Sequence, residues 1–251
     1  MELTTKPSVE LVRNTLPPPL YKCLEYLFNQ NIKGIALSGG TALAGFYAAH
    51  RKSDDLDLFT QDENSQKAAV LAVKSLKSIG VLLQDEFQTN QYYRATCEFQ
   101  NHKFTIDIVL DTHFFEVGHF EKLPNGIVVA SLETILMTKA ATLVSRCSEK
   151  DLYDLMWICE QDQNLNIAQL IELGHKIDGG MNGEAILLSI SGTRLKKEAC
   201  GFSLSPHITA EEIYKKIISF QREFILQLNS FLKNQPPLPL KKLIQKLNRL
   251  K

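Results

Sequence analysis

The fold is decided by residues 36–59, ALSGGTALAGFYAAHRKSDDLDLF. Two adjacent glycines end a short apolar segment, and small residues compatible with a helix follow them. The stretch closes on DLDLF, where acidic and apolar residues alternate with the period of two that is typical of a strand. These residues therefore predict a strand–turn–helix–strand unit.

The aspartates of this stretch predict an acidic face on the sheet. Residues two apart in a strand point to the same side, so Asp55 and Asp57 share one face while the neighbouring leucines face the core. Asp107 stands in FTIDIVL, which is too apolar for a surface loop. Three gathered carboxylates repel one another unless a cation compensates them, and oxygen-only ligands favour Mg²⁺ or Mn²⁺. We therefore expect Asp55, Asp57 and Asp107 to bind metal ions.

The glycine turn predicts a phosphate site. Gly39 and Gly40 have no side chain to obstruct a ligand, and the helix that opens at Thr41 offers free amides and a positive dipole end. A triphosphate at the turn beside metal-binding carboxylates is typical of phosphoryl or nucleotidyl transfer. The Walker and dinucleotide-binding glycine patterns are both absent from the sequence.

Each motif also has a plainer interpretation when it is taken alone. GGT is compatible with an ordinary strand-to-helix turn in which Thr41 is the N-cap. SDDLD is compatible with a solvated edge or loop, and Asp107 with a strand-end residue paired to a lysine. Their combination favours the catalytic interpretation.

Composition narrows the classes of partner. The 251 residues include 28 basic and 28 acidic side chains, so global charge draws the chain toward neither nucleic acid nor membrane. Five scattered cysteines without a C-x-x-C pair argue against a disulfide framework or a zinc site. The sequence shows no signal peptide and no apolar run long enough to span a bilayer, and we expect a cytoplasmic protein.

The pattern along the chain predicts an α+β fold, in which a mixed sheet with flanking helices precedes a helical C-terminal lobe. The predicted regions are N-terminal helices (1–30), a catalytic lobe (31–130), a helical lobe (131–235) and a basic amphipathic tail (236–251). Further strands are predicted at 81–87, 92–99 and 103–110, and helices at 65–78, 131–145, 149–161, 166–175, 183–190 and 209–232. Prolines 17–19 predict a break between two N-terminal helices.

These motifs resemble those of the minimal nucleotidyltransferases of the DNA polymerase β-like superfamily, whose pattern is G-[GS]-[ST], D-x-D and a later acidic residue. The stretch is similar, in particular, to AbiEii/AbiGii-type nucleotidyltransferase toxins, in which GGTAL leads to HR-x-S-x-D-x-D-L-F. The same family carries a helical signature that KAATLVSRCSEKDLYDL resembles, and the matching residues are Lys139, Arg146, Asp151 and Asp154.

The resemblance implies a nucleotidyltransferase-like fold and a toxin that uses a nucleoside triphosphate and Mg²⁺. It implies that the metal ions bind Asp55, Asp57 and Asp107, and that the phosphates bind Gly39, Gly40 and Thr41. Lys139 would contact the triphosphate, Arg146 would assist, and Asp151 would be a second essential acid that orients Lys139 or the acceptor hydroxyl. The implied acceptor is RNA, such as the acceptor end of tRNA, and the implied protein partner is an antitoxin.

The helical signature is also compatible with a purely structural role. Ser148 is placed to cap a helix that begins near Glu149, which makes Asp151 the N3 residue of a capping box. Lys139 and Arg146 would share a helix face that, without the family resemblance, is best interpreted as solvated.

The C-terminal tail and the acceptor each allow more than one interpretation. Leu240, Leu243, Leu247 and Leu250 form a helical stripe with lysines around it, which suits either RNA phosphates or a packed helix with a solvated cationic face. The acceptor is alternatively a small molecule, as in antibiotic modification. A third hypothesis is a catalytically silent nucleotide-binding partner in a regulatory pair.

Overall fold

The structure is a computed structural model that describes residues 6–249. The described chain divides into two compact units, and the division falls between Ile135 and Leu136. The first unit holds a mixed sheet with helices, and the second is helical. The α+β architecture predicted from the sequence is therefore confirmed.

The sheet of the first unit has seven strands among the described residues, in the order β3-β4-β5-β2-β1-β7-β6. The strands are β1 (Ile35–Ser38), β2 (Asp55–Thr60), β3 (Leu82–Gln88), β4 (Tyr92–Phe99), β5 (His102–Leu110), β6 (Phe120–Lys122) and β7 (Val128–Ala130). β2 pairs parallel with β5 and antiparallel with β1, while β4 pairs antiparallel with both β3 and β5. This pairing brings the predicted acidic strands next to each other.

The first unit also contains five α-helices among the described residues. They are α1 (Val9–Thr15), α2 (Pro18–Phe28), α3 (Gly39–Ala42), α4 (Glu63–Ser75) and α5 (Thr112–Val117). A π-helical turn, Leu43–Ala48, continues α3, and a 3₁₀ turn, Leu76–Ile79, follows α4. Leu56, Leu58, Ile106 and Ile108 are fully buried, which places the alternate residues of β2 and β5 in the core.

The second unit consists of helices with well-formed caps. Helix α6 (Leu132–Ser145) begins in the first unit and continues into the second, which also contains α7 (Glu149–Gln161), α8 (Ile167–His175), α9 (Gly183–Gly192), α10 (Ala210–Leu232) and α11 (Leu240–Arg249). Side chains at the N-caps of α7, α8 and α10 form capping boxes, which explains why these helices begin where the sequence predicts. The unit boundary lies inside α6, a few residues beyond the predicted lobe boundary.

Some elements differ from the sequence prediction. The proline break between α1 and α2 and the strands β1–β5 appear as predicted. Helix α5 and strands β6 and β7 were not predicted, and both strands extend the sheet beyond β1. Among the described helices, none combines the length and the apolarity that crossing a membrane requires. Leu250 of the predicted tail stripe lies outside the described residues.

Candidate active site

The strand register places three aspartates on one face of the sheet. Asp57 on β2 lies directly opposite Asp107 on β5, and Asp55 lies opposite Thr105. Ser38 at the end of β1 lies opposite Asp57 on the other side. Because opposed residues of paired strands point to the same side, the structure gathers the predicted acidic residues on one polar face.

The glycine turn lies against this face. Gly39 has a φ of +68°, and a Cβ added there would lie 1.9 Å from the carboxylate oxygen Oδ2 of Asp57. A Cβ on Gly40 would lie 2.3 Å from Nη2 of Arg51, whose side chain is almost completely buried. Each glycine is therefore required because a charged side chain occupies the space beside it. This contact confirms that the turn and the carboxylates meet.

Thr41 lies inside the helix that follows the glycine turn. Helix α3 begins at Gly39 with Ser38 as N-cap, so the interpretation of Thr41 as the N-cap is wrong. The Thr41 side chain is fully buried; its hydroxyl donates to the backbone oxygen of Asp55, and its Oγ1 lies 2.8 Å from Oγ of Ser53. Thr41 therefore fastens the turn to the start of β2, and a phosphate contact at this position would come from its backbone amide.

Asp107 is held by two residues of the neighbouring strand. The hydroxyl of Tyr92 donates to its Oδ1, and Nη1 of Arg94 lies 3.6 Å from the same oxygen. Arg94 is opposed to Asp107 across the sheet, and its side chain is about half exposed, at 49%. Its bond to Tyr92, together with the charges of Asp107 and Asp55, raises the pKa of the Arg94 guanidinium. Arg94 is thus a local counter-ion for the acidic face.

The pKa of Tyr92 is also raised. Partial burial is the main cause, and the hydrogen bond to Asp107 adds to it, because both favour the neutral phenol. Tyr92 therefore remains a hydrogen-bond donor to Asp107 at neutral pH.

The acidic face has the donor chemistry for a hard divalent cation. Asp55, Asp57 and Asp107 offer only oxygen atoms, which are the ligands that Mg²⁺ and Mn²⁺ prefer. Oδ1 of Asp55 accepts a hydrogen bond from Thr105 at 2.7 Å, and Asp107 is engaged by Tyr92 and Arg94. Accordingly, no group of three or more metal-ligating His, Cys, Asp or Glu side chains is preformed in the part of the chain that the structure describes. The residues fit a cation by chemistry and register, and the three-carboxylate metal site stays a prediction.

A second charged cluster lies in the helical unit. Nζ of Lys139 on α6 lies 2.8 Å from Oδ1 of Asp151 and 2.8 Å from Oδ2 of Asp154, both on α7. All three side chains are buried, and Asp154 is fully so. The interpretation of the Lys139 face as solvated is therefore wrong, because the ammonium joins two helices inside the unit.

Asp151 caps α7 and binds Lys139, while its role toward an acceptor hydroxyl stays a prediction. Its carboxylate completes the predicted capping box with Ser148, and it also binds Lys139. Burial acts to raise the pKa of Asp151, but the charge and hydrogen bond of Lys139, the hydroxyl of Ser148 and the charge of Arg146 outweigh it, so the pKa lies below its usual value. Asp151 is therefore ionised at neutral pH.

Arg146 differs from Lys139 in its burial, although its charge also acts on Asp151. It lies just beyond the end of α6, where its backbone N–H donates to the oxygen of Thr142, and it is exposed. Because this bond continues the i→i−4 pattern of α6 by one residue, the idea that the two cations share one helix face stays a prediction.

Sequence reasoning assigned no role to four residues that the structure brings into these clusters: Arg51, Tyr92, Arg94 and Asp154. Arg51 and Asp154 stand within the sequence motifs, but the groups that they contact are known only from the folded structure. Tyr92 and Arg94 become visible once the register between β4 and β5 is known, since nothing in the sequence specifies that register.

Solved structures similar to this chain bear on its fold. The structure is similar to that of MenT4, a nucleotidyltransferase toxin from Mycobacterium tuberculosis, with a TM-score of 0.53, 14% identity and coverage of 81% of this chain and 82% of that one. It also matches a putative nucleotidyltransferase from Helicobacter pylori, with a TM-score of 0.47, 17% identity and coverage of 89% and 98%. The likeness to MenT4 supports the fold. A comparison with curated protein sequences found no match.

The sequence itself matches the family described as nucleotidyl transferase AbiEii toxin, type IV TA system, over residues 26–227. The matched range includes the glycine turn, the acidic face and the Lys139 cluster. Because it covers most of the sequence, the chain belongs to the AbiEii family of nucleotidyltransferase toxins of type IV toxin–antitoxin systems.

Proposed function

We propose that this nucleotidyltransferase transfers a nucleotide from a nucleoside triphosphate to RNA, such as the acceptor end of tRNA, with a divalent cation at the acidic face. The acceptor hydroxyl would attack the α-phosphorus, the bond to the β-phosphate would break, and pyrophosphate would leave. The observation that carries the proposal is the register of Asp57 against Asp107, with the glycine turn in contact with Asp57.

The acidic face would hold the cation, most simply Mg²⁺ or Mn²⁺. Asp57 and Asp107 lie side by side on paired strands, and Asp55 lies two residues before Asp57 on the same face. A bound cation supplies charge neutralisation for the phosphates. The chain's own part is to fix the carboxylates, which it does through Thr105 and Tyr92.

The glycine turn would orient the phosphates. The close contact of Gly39 with Asp57 puts the backbone of the turn beside the carboxylates, so a triphosphate bound at the turn amides would lie next to them. Ser53 and Asp55 hold Thr41, which keeps the turn in a fixed position relative to β2. Such preorganisation is what phosphoryl-transfer sites require.

Lys139 is proposed to act within the helical unit as well as in the reaction. The family resemblance implies a contact to the triphosphate, whereas the structure supports a role in joining α6 to α7 through Asp151 and Asp154. For Asp151 we propose a positioning role, because its carboxylate contacts the Lys139 ammonium directly.

RNA is the favoured acceptor because α11 buries apolar side chains and leaves a lysine side chain exposed to solvent, where it can meet a phosphate. Leu240, Leu243 and Ile244 of α11 are buried, and Lys242 on the same helix is exposed. Lys246 is already paired on the protein itself, because its ammonium lies 2.8 Å from a carboxylate oxygen of Glu223. The proposal includes an antitoxin partner, as the family implies, and a cytoplasmic setting, which the five free, buried cysteines support.

The test is incubation of the full chain with total RNA, Mg²⁺ and each of the four α-labelled nucleoside triphosphates in turn. The proposal predicts label on an RNA species with at least one nucleotide, and no label with Asp57→Asn. Label on a small metabolite alone would replace RNA with a small-molecule acceptor. Absence of label on any acceptor, with an intact fold, would contradict the proposal.

A further inference from the structure

An exposed aromatic residue lies next to the acidic face. Phe87 on edge strand β3 is 56% exposed and is opposed to Arg94 on β4. Its ring centroid lies 6.2 Å from that of Tyr92, which is partly exposed. A single exposed apolar side chain is ordinary, but here two aromatic rings lie near each other on the pair of strands that carries Arg94, at the edge of a polar site.

A β-bulge puts Phe87 on this face. Gln84 pairs with Thr96 and Phe87 pairs with Arg94. Between these two pairs β3 advances by three residues and β4 by two, so β3 contains one extra residue. The bulge includes Asp85, whose φ is +47°. With uninterrupted pairing, Glu86 would oppose Arg94 and Phe87 would point to the other face, because a slip of one residue reverses every side chain.

The bulge therefore exchanges a carboxylate for an aromatic ring beside the acidic face. Glu86 is instead turned to the opposite side, where its Oε2 accepts a hydrogen bond from the hydroxyl of Tyr93 at 2.9 Å. Bulges that re-aim a side chain are frequent next to active sites, and this one removes a negative charge from the approach to Asp107.

The ring also lies within reach of the acidic face. Phe87, Arg94, Asp107 and Asp57 are opposed in succession across four neighbouring strands. At a strand spacing of about 4.8 Å, Phe87 lies about 14 Å from Asp57, which is of the order of the length of a nucleotide and its phosphates. A shallow surface depression lined by Thr89, Asn90 and Gln91 adjoins the end of β3.

We propose that Phe87 and Tyr92 form a stacking site for a nucleobase and that Arg94 contacts the phosphate of the same nucleotide. Aromatic rings interleaved with a cation are the chemistry by which proteins bind single nucleotides without reading their sequence. The nucleotide is either the incoming nucleoside triphosphate or the end of the RNA acceptor. This inference rests on the proposed function, because it supplies a nucleotide to the acidic face.

The experiment measures binding of two probes to the full chain: each nucleoside triphosphate with Mg²⁺, and a fluorescein-labelled single-stranded RNA oligonucleotide. The variants are Phe87→Ala and Phe87→Trp. Leu82→Ala is the matched control, since Leu82 lies on the same strand, is 59% exposed and is opposed to Glu98 on the same face. A thermal melt of each variant checks that the fold is kept.

Loss of a base–aromatic stack weakens binding roughly 5- to 150-fold. We expect Phe87→Ala to show that loss for one probe, which identifies the source of the nucleotide, while Phe87→Trp and Leu82→Ala bind as the parent chain does. Unchanged binding of both probes by Phe87→Ala would overturn the inference and leave the proposed function standing. If the parent chain binds neither probe, the result contradicts both the stacking site and the proposed function.

Discussion

Asp57 and Asp107 are directly opposed on the parallel strands β2 and β5. The glycine turn, which follows β1 on the opposite flank of β2, lies against the Asp57 carboxylate. The two aspartates stand 50 positions apart in the sequence, yet the parallel pairing brings them to one level of the sheet. Like charges at such close range are costly unless something compensates them. In this chain Arg94 supplies part of that compensation, and the proposed cation would supply the rest.

The acidic face is tested by Asp57→Asn and Asp107→Asn. Each change keeps the shape of the side chain and removes one negative charge, and we expect nucleotide transfer to fall at least about 100-fold with little change in melting temperature. Asp54→Asn is the matched control. Asp54 directly precedes β2 and lies 3.1 Å from His102, away from Asp107, so its loss should leave transfer intact.

The glycine turn is tested by Gly39→Ala against Gly126→Ala. Both glycines have positive φ, so each alanine should cost about 1–2 kcal/mol of backbone strain. Only at Gly39 would the new Cβ meet the Asp57 carboxylate, whereas at Gly126 it would meet nothing within 4 Å. We expect both variants to melt earlier and only Gly39→Ala to lose transfer. Equal loss of transfer in both would show that the turn acts through stability alone.

The counter-ion role of Arg94 is tested by Arg94→Gln. Removing the guanidinium frees Asp107 from a competitor, so we expect tighter binding of Mn²⁺ in calorimetry without nucleotide. The free energy of unfolding without cation should fall by less than about 1 kcal/mol, because the Arg94 side chain is half exposed to solvent. Lys103→Gln is the control, since Lys103 forms a similar cross-strand pair with Glu98. Equal Mn²⁺ affinities in both variants would contradict the role.

Much of the fold follows from local pattern, and the rest depends on pairing that no local pattern reports. Leucine–aspartate alternation predicts β2, and the prolines predict the break before α2. Strands β6 and β7 have three residues each, too few for a visible period, and they form because β7 pairs with β1 far away in sequence. The carboxylates were predictable as a group, but their partners depend on the register of β4.

The Lys139 cluster is tested by Lys139→Met. Removing the ammonium leaves Asp151 and Asp154 buried without their cation, which should lower the free energy of unfolding by about 3–5 kcal/mol. Lys215→Met serves as control, because the exposed pair of Lys215 with Glu211 contributes at most about 1 kcal/mol. Chemical denaturation measures both. A loss at Lys139 no larger than at Lys215 would show that the cluster does not join the helices.

The depressed pKa of Asp151 predicts a pH dependence of stability. A carboxyl whose folded pKa lies below its unfolded value stabilises the fold above the unfolded pKa, which is about 3.9, and this contribution is lost as the pH falls through the folded pKa. We expect Asp151→Asn to lower the free energy of unfolding at pH 7 and to flatten its decline below about pH 4. Parallel curves for the two proteins would contradict the assignment.

The central claim is that Asp55, Asp57 and Asp107 hold a divalent cation beside the glycine turn. Anomalous diffraction from crystals grown with Mn²⁺ and a nucleoside triphosphate tests it most directly. The account predicts a manganese peak within coordination distance of Asp57 and Asp107, with Arg94 displaced from Asp107 and the phosphates at the turn. Manganese bound elsewhere at saturating concentration, with Arg94 still paired to Asp107, would contradict it.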